Sequence, residues 1–278
     1  LIDYPGFNLK IAQAIKQKQR TPIIYYISPQ LWAWKENRIN VIKKNIDKMI
    51  VLFPFEKEWY AKHNFEVIYL GHPLIELHSL FLKTYKQKKH SKHLTVALFP
   101  GSRQQELDRH LPLYKKTIKE LNKQHPNIFY VIKLFNNTNL NIKESLGLTE
   151  NFSVEKGSSF QAFHDSDFAL VASGTATLEG AICNTPLAVI YKTSFFSWLL
   201  AKFFLKIQFI SIVNILNEKK IVEEFLQNRA HPKIIAKHIL NNASANCFNY
   251  SPLLASLNKK NIYYNSALEI MEVSNESI

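Results

Sequence analysis

The sequence predicts an α/β protein built from two doubly wound units, and three observations support this. Runs of consecutive apolar residues, typical of strands buried on both faces, alternate with segments of helical periodicity. The alternation starts again at "LTVALFPGSR", after a lysine-rich stretch. The chain has 278 residues, 46% of them hydrophobic, which is enough for two cores. We therefore expect Rossmann-like domains at 1–85 and 94–250, a linker at 86–93, and a helical segment at 251–278.

The elements follow in order along the chain. In the first domain, "PIIYYI", "KMIVLF" and "EVIYL" predict strands, separated by helices at "ENRINVIKKNI" and "FEKEWYAKH". In the second, "LTVALF", "NIFYVIKLF", "DFALVAS" and "PLAVIY" predict strands, with a long helix from about Gln105 to Lys123 and a shorter one at "GTATLEGAI". Leu1 and Ile2 resemble the tail of a buried strand with Asp3 at its exit. We therefore expect the first domain to be truncated at its start.

Charge and cysteine content limit the classes of function. The formal net charge of +13 favours polyanionic partners, which include nucleic acid, nucleotide phosphates and an anionic membrane face. Two cysteines, Cys183 and Cys247, fit neither a disulfide framework nor a paired metal site, so a reducing compartment, the cytoplasm, is expected. No apolar run approaches the roughly 18 to 20 residues that a membrane-spanning helix needs.

Ligands of open parallel sheets bind at the carboxyl ends of the strands, and "FPGSR" follows one of them. Gly101 permits a tight turn, Ser102 can cap a helix, and Arg103 places a guanidinium at the helix entrance. A helix N-terminus with an arginine suits phosphate. The alternative interpretation is a plain strand-to-helix turn with an exposed arginine.

A second entrance is "VASGTATLEGA". Its small residues Ser173, Gly174, Thr175 and Thr177 allow a ligand to approach the backbone, and Glu179 follows about one helical turn later, within reach of ribose hydroxyls. The segment is neither a Walker A loop nor a Gly-x-Gly-x-x-Gly turn, so dinucleotide and ATP-hydrolase functions lose support. The alternative is an ordinary N-cap with close helix–sheet packing.

Two further places carry weaker signals. Trp32 and Trp34 in "YYISPQLWAWKENR" could stack on a sugar or nucleobase, although tryptophan is more often a structural anchor. His72 in "LGHPL" follows a strand and could reach a phosphate or sugar hydroxyl between the domains. A lone histidine, however, is more often a hydrogen-bonding loop residue.

The motifs "IDYPGFNLKIA", "ISPQLWAWKENR", "LFPFEKEWY", "YLGHPL", "LFPGSRQQEL", "ASGTATLEGAICNTPLAVIYK" and "ISIVNIL", in this order, resemble the lipid-A-disaccharide synthases over roughly 1–230. The resemblance implies the GT-B fold, two Rossmann-like domains facing a cleft. It also implies transfer of the diacylglucosamine of UDP-2,3-diacylglucosamine to 2,3-diacylglucosamine 1-phosphate in lipid A biosynthesis. Members of the family begin with a "GEASGD" segment that this chain lacks, and whether the chain is active without it stays open.

The resemblance also implies roles for single residues. Asp3 is expected to be the catalytic base, and the role cannot rest on position 6, because Gly6 stands where many relatives carry a second aspartate. The alternative is an aspartate that caps the next helix. Asn8 and, on the nucleotide side, Asn214 are expected to bind substrate, as are the residues of the two strand-to-helix entrances and His72. Neither a metal nor a cofactor is expected, because Arg103 and the backbone N–H groups of the second entrance are expected to meet the charge of the diphosphate.

The stretch "KTSFFSWLLAKFFLKIQFI" at 192–210 combines apolar bulk with lysines, as in a helix lying in an anionic membrane interface. With acylated substrates this predicts peripheral binding at the inner face of the bacterial inner membrane, and no nucleic-acid partner. A buried helix or an oligomer contact, such as a homodimer, is the alternative. Two rival functions remain open: another GT-B enzyme acting on a UDP-sugar (an N-acetylglucosaminyltransferase or a 2-epimerase), and an inactive basic lipid-binding protein.

Overall fold

The computed structural model describes residues 1–86, 93–135, 140–193, 208–243 and 248–275. Two compact units are present. The first contains Leu1–Ser79 and the described residues from Leu254 onward, and the second contains the described residues between Leu80 and Leu253. The sequence prediction had set 251–278 apart as a helical segment. Its described residues form two helices, Ser251–Leu257 and Ile262–Asn275, and from Leu254 they group with the first unit.

Helices and strands alternate along the described chain. The first part contains α1 (Pro5–Lys18), β1 (Ile24–Tyr26), α2 (Ile39–Asn45), β2 (Lys48–Val51), α3 (Pro54–Lys62), β3 (Ile68–Tyr69) and α4 (Pro73–Leu82). There follow β4 (Thr95–Phe99), α5 (Gln104–Gln124), β5 (Phe129–Lys133), α6 (Ile142–Leu146), β6 (Phe152–Glu155), α7 (Ser159–His164), β7 (Phe168–Ala172), α8 (Thr175–Ile182) and β8 (Leu187–Tyr191). The last elements are α9 (Ile212–Asn217), β9 (Glu223–Leu226), α10 (Pro232–Asn242), α11 (Ser251–Leu257) and α12 (Ile262–Asn275).

The sheet of the first unit has the order β1-β2-β3, with all strands parallel. The opening residues extend it, because Ile2 pairs in parallel with Tyr26. Tyr26 N donates to Leu1 O at 2.8 Å and Asp3 N donates to Tyr26 O at 3.0 Å. The expected strand tail is therefore present, but Ile2 is 66% exposed, so the expectation that it is buried was wrong.

The sheet of the second unit has the order β6-β5-β4-β7-β8-β9, again entirely parallel. Numbered within this unit, the order is 3-2-1-4-5-6, the order of the classic dinucleotide-binding fold. Strands β4 and β7 are buried along their whole length, as the continuous apolar runs predicted. Strands β5 and β6 are added on one side of β4, whereas β7, β8 and β9 are added on the other, so the strand order reverses between β4 and β7. Ligands of such sheets bind at this point, outside the carboxyl ends of the strands.

The long helix α5 matches the helix predicted from Gln105 to Lys123 within two residues. Its apolar face packs into the core of the second unit through Leu107, Leu111, Ile118 and Leu121. The predicted interfacial stretch at 192–210 lies largely outside the described residues. In the part of the chain that the structure describes, no helix is both long and apolar enough to cross a membrane.

Candidate functional site

The second unit brings the two predicted entrances together at the point where its strand order reverses. Strands β4 and β7 are neighbours, with Phe99 opposite Val171. The loop before α5 and the loop before α8 therefore leave the sheet side by side, just beyond this pair. Each loop leads directly into a helix N-terminus. The topology thus confirms that the two segments share one edge of one sheet.

The entrance at α5 is closed by a side chain of its own helix. Gly101 has a φ of +115°, and a Cβ atom there would lie 2.6 Å from Oε2 of Glu106. This oxygen accepts hydrogen bonds from the backbone N–H groups of Ser102, at 2.9 Å, and Arg103, at 3.3 Å. The side chain of Arg103 is 84% exposed. The amides are therefore occupied, and the guanidinium is what this entrance offers to an anion.

The entrance at α8 is open. Gly174 has an extended backbone, and no heavy atom lies within 4 Å of the position that a Cβ would take. Among the described residues, no acceptor meets the backbone N–H groups of Gly174, Thr175 or Ala176. Thr175 is exposed. Free N–H groups at a helix N-terminus attract anions, because the helix dipole adds to their own polarity.

Carboxylates of the chain close three other helix N-termini, which sets α8 apart. Glu56 caps α3, Glu106 caps α5 and Glu224 caps α9. The N–H donors are those of Leu52 and Phe53 for α3, Ser102 and Arg103 for α5, and Ile210 and Ser211 for α9. Within the described chain α8 has no such carboxylate. It is therefore the better of the two predicted phosphate sites.

Ser173 and Thr177 shape the α8 entrance from within the protein. Thr177 is fully buried, and its hydroxyl donates to the carbonyl of Gly174 at 2.8 Å. Ser173 N donates to Ile190 O at 2.9 Å, which ties the loop to β8. We expect both residues to hold the backbone in place, while Gly174 and Thr175 are the ones that a ligand can reach.

Glu179 lies one turn into α8 and is half-buried. Burial raises the pKa of its carboxyl, and a hydrogen bond from Ser159 and the positive charge of Lys133 oppose this increase. Its side chain therefore faces α7 and the end of β5. A carboxylate in this position can accept hydrogen bonds from hydroxyl groups of a ligand whose anion lies at the α8 N-terminus.

Asn214 is fully buried, and its side chain makes four hydrogen bonds within the protein. Its Nδ2 donates to Val222 O and to Glu224, at 2.9 and 2.8 Å, and its Oδ1 accepts from the N–H groups of Ile221 and Val222. These bonds use both donors and both lone pairs of the amide. Asn214 thus holds α9 against β9, and no capacity is left for the nucleotide contact expected from the sequence.

In the first unit, Asp3 and Asn8, two of the predicted site residues, lie together. Asn8 Nδ2 donates to the carbonyl of Asp3 at 2.7 Å, and the hydroxyl of Tyr25 donates to the same oxygen. Burial, followed by the charge of Asp3, raises the pKa of Tyr25 to about 12. Within the described chain the carboxylate of Asp3 makes no hydrogen bond, so it remains available to a substrate.

The backbone at this point is strained. Asp3 and Tyr4 have φ values of +42° and +44°, the left-handed region that residues other than glycine rarely adopt. Such conformations cost about 1–3 kcal/mol each and persist only where neighbours enforce them. Here Asn8 and Tyr25 do so through the carbonyl of Asp3. Strain of this kind clusters at functional sites, which agrees with the expected role of Asp3.

His72, Trp32 and Trp34 have separate surroundings. His72 is 5% exposed, its Nδ1 accepts from Leu74 N at 3.2 Å at the start of α4, and burial lowers its pKa to about 4. Trp32 packs edge-on against Phe55, with ring centroids 5.0 Å apart. These two are anchored in the protein, as the structural alternatives proposed. Trp34 is 52% exposed, and the ammonium of Lys35 lies over its ring, 4.3 Å from the centroid.

Comparisons with known proteins agree with this arrangement. The family model described as lipid-A-disaccharide synthetase matches residues 1–253. The chain belongs to this family. Lipid-A-disaccharide synthase 1 of Legionella pneumophila (strain Paris) is 38% identical over 251 residues, which cover 87% of this chain and 64% of the relative. The lipid-A-disaccharide synthase of Acinetobacter baylyi is 34% identical, and the match covers 88% of this chain and 67% of the relative. The chain thus spans about two-thirds of the length of these curated relatives.

Solved structures confirm the fold that the sequence predicted for this family. A UDP-GlcNAc 2-epimerase from Neisseria meningitidis, crystallised with UDP-GlcNAc, matches with a TM-score of 0.61 at 14% identity, covering 94% of this chain and 73% of the other. The calicheamicin glycosyltransferase CalG4 matches with a TM-score of 0.53 at 12% identity, covering 96% of this chain and 70% of the other. Together with the two parallel sheets, these likenesses show the GT-B type of Rossmann-like α/β fold.

The structure of this family member also shows three polar residues near the site that the sequence analysis did not select: His110, Lys133 and Glu224. For Lys133 a signal existed, since a charged residue ends the otherwise apolar run "NIFYVIKLF". For His110 and Glu224 no local signal existed. Their partners are defined only once distant strands are placed side by side.

Proposed function

We propose that the chain is a hexosyltransferase that joins UDP-2,3-diacylglucosamine to 2,3-diacylglucosamine 1-phosphate and releases UDP. Membership of the lipid-A-disaccharide synthetase family supports the reaction. The observation that carries the proposal is the open N-terminus of α8 at the strand-order reversal, where the N–H groups of Gly174, Thr175 and Ala176 have no acceptor in the described chain. A diphosphate matches these donors in charge and geometry.

Stabilisation of the departing UDP follows from this arrangement. Negative charge grows on the diphosphate as the glycosidic bond breaks, and the α8 dipole and its free N–H groups are already directed at it. The exposed guanidinium of Arg103 supplies a positive charge from the neighbouring loop. Glu179 accepts hydrogen bonds from the ribose hydroxyls.

Asp3 serves as the base. Its carboxylate removes the proton from the acceptor hydroxyl as that oxygen attacks the anomeric carbon, and Asn8 keeps the strained backbone in place through the carbonyl of Asp3. Inversion at the anomeric carbon gives the β-linked disaccharide. Acylated substrates place the enzyme at the cytoplasmic face of the inner membrane, where the net charge of +13 favours anionic lipids.

The test is turnover of the full chain with both acylated substrates, followed as formation of disaccharide 1-phosphate. Asp3→Asn should lower turnover by about a hundred- to ten-thousand-fold. Its fold and UDP affinity should be unchanged, because the carboxylate makes no hydrogen bond in the described chain. A wild-type rate in Asp3→Asn would contradict the role of Asp3. Release of UDP without acceptor, or epimerisation of UDP-GlcNAc, would support the rival UDP-sugar enzymes. Lipid binding without UDP binding would support the lipid-binding protein.

A further inference from the structure

A buried lysine at the carboxyl edge of the second sheet takes no part in the steps above. Lys133 is the last residue of β5 and is 4% exposed. Its ammonium donates one hydrogen bond, to the carbonyl of Leu134 at 2.9 Å. In the described part of the chain its other two N–H donors have no hydrogen-bond acceptor. Burying an ammonium with incomplete bonding is costly, and the described residues supply only one of the acceptors that a buried ammonium requires.

The position of Lys133 connects it to the ligand site. In the β4–β5 ladder Leu98 lies opposite Ile132, and in the β4–β7 ladder Leu98 lies opposite Leu170. Lys133 is therefore one residue beyond this row, at the carboxyl edge and one strand away from the reversal point. Its charge also acts on Glu179, the residue assigned to the ribose. Lys133 thus lies on the side of Glu179 that faces β5.

An exposed aromatic ring accompanies this lysine. Phe135, two residues further along, is 50% exposed, and its ring centroid is 5.0 Å from the Lys133 ammonium. Phe135 is not part of the buried core of this unit. A solvent-facing phenyl ring beside an ammonium provides a stacking surface and a hydrogen-bond donor at one place.

We propose that Lys133 and Phe135 recognise the nucleobase of the UDP-sugar. The ammonium donates a hydrogen bond to the 4-carbonyl oxygen of uracil, and the Phe135 ring packs against the face of the base. This rests on the function proposed above, with the diphosphate at α8 and the ribose at Glu179. Because the ring lies over a buried ammonium, it rotates aside to admit the base.

The chemistry of the ammonium selects the base. An ammonium only donates, so its partner on the ligand must be an acceptor. Uracil has a carbonyl at the 4-position, whereas cytosine has an amino group there, and the two bases are otherwise closely alike. A donor directed at this position therefore favours uracil and is left facing an amine when cytosine binds.

The experiment is calorimetric titration of the full chain with UDP and with CDP. Lys133→Met removes the donor and keeps the length of the buried stem. We expect UDP affinity to fall about tenfold, the loss typical of one charged hydrogen bond, and CDP affinity to stay the same. Phe135→Leu should weaken both ligands equally, because stacking does not distinguish the two bases. Lys119→Met, an exposed lysine on α5, is the matched control and should change neither affinity.

Three outcomes separate the proposals. If the wild-type chain binds no UDP, the proposed function fails and this inference fails with it. If the chain binds UDP and Lys133→Met retains the wild-type preference over CDP, only the inference is overturned. If Lys133→Met does not fold, the Phe135→Leu variant provides the test, because the Phe135 side chain is half exposed and its replacement should not impair folding. Unchanged UDP and CDP affinities in that variant would overturn the nucleobase site.

Discussion

His110 joins two separate segments of the second unit through both nitrogens of one buried ring. Its Nε2 accepts a hydrogen bond from the backbone N–H of Lys192 at 3.2 Å, and its Nδ1 donates to the carbonyl of Pro100 at 2.8 Å. Pro100 begins the loop after β4, and Lys192 follows β8. Only a neutral ring with its proton on Nδ1 satisfies both partners. The ring therefore fixes the distance between two loops at the carboxyl edge of the sheet.

This geometry predicts a pH-dependent loss of stability. Burial lowers the pKa of His110 from its usual 6.5, so the protonated ring favours the unfolded chain. The stability linked to this residue is complete above about pH 6.5 and is lost as the pH falls towards the folded-state pKa. His110→Gln retains an acceptor for Lys192 but does not titrate. In urea unfolding between pH 7 and 5, we expect the free energy of unfolding to fall more steeply for wild type than for the variant.

The other buried histidines are present in the wild-type protein and in His110→Gln, so the comparison isolates the effect of His110. Their contribution cancels when the two pH curves are subtracted. Parallel curves for wild type and His110→Gln would show that the ring does not titrate in this range or is not held as described.

Substitution by alanine should lower the stability of the protein at Gly101 and the affinity for UDP at Gly174. Gly101→Ala places a Cβ 2.6 Å from Glu106 Oε2, in a left-handed conformation, so we expect a loss of about 2 kcal/mol in the free energy of unfolding. Gly174→Ala meets no atom within 4 Å and should leave stability within about 0.5 kcal/mol of wild type. Its methyl group, however, stands at the open N-terminus of α8, and UDP affinity should fall about tenfold or more.

Thermal unfolding and UDP titration of both variants check this pair. Each variant serves as the control for the other, because the change in composition is identical. If Gly174→Ala binds UDP like wild type, the diphosphate does not approach α8. If Gly101→Ala is as stable as wild type, Glu106 does not hold the loop rigidly.

The sequence was most informative where the signal is local. Strands β1 to β5, β7 and β8, the span of α5 and the pairing of the "FPGSR" and "VASGTATLEGA" entrances follow from apolar runs and from the rule that ligands bind at carboxyl ends. The short strands β6 and β9 carry no such apolar run and were not predicted. It could not tell the two entrances apart, because the difference is which N–H groups are already bonded. Glu106, three residues after Arg103, fits a capping pattern, whereas the capping role of Glu224 becomes visible only when β9 lies beside α9.

Roles that depend on distant contacts were also beyond the sequence. His110 and Lys192 are 82 positions apart, so their bond requires the whole sheet. Asn214 was expected at the nucleotide because its motif resembles a family segment, and burial decides otherwise. A motif marks a residue as important without saying whether the side chain turns toward the ligand or toward the protein.

Asn214 provides the sharpest test of this distinction. Asn214→Ala leaves two N–H groups, one carbonyl and the Glu224 carboxylate without their partner in a buried place, so we expect a loss of about 3 kcal/mol or more in the free energy of unfolding. Asn217→Ala on the same helix removes one bond, to Val213 O at 2.7 Å, and should cost about 1 kcal/mol. Urea unfolding gives both values. If Asn214→Ala is as stable as wild type but binds UDP more weakly, Asn214 contacts the nucleotide, as the sequence predicted. A destabilised variant whose folded fraction binds UDP normally would confirm that Asn214 acts by holding α9 to β9.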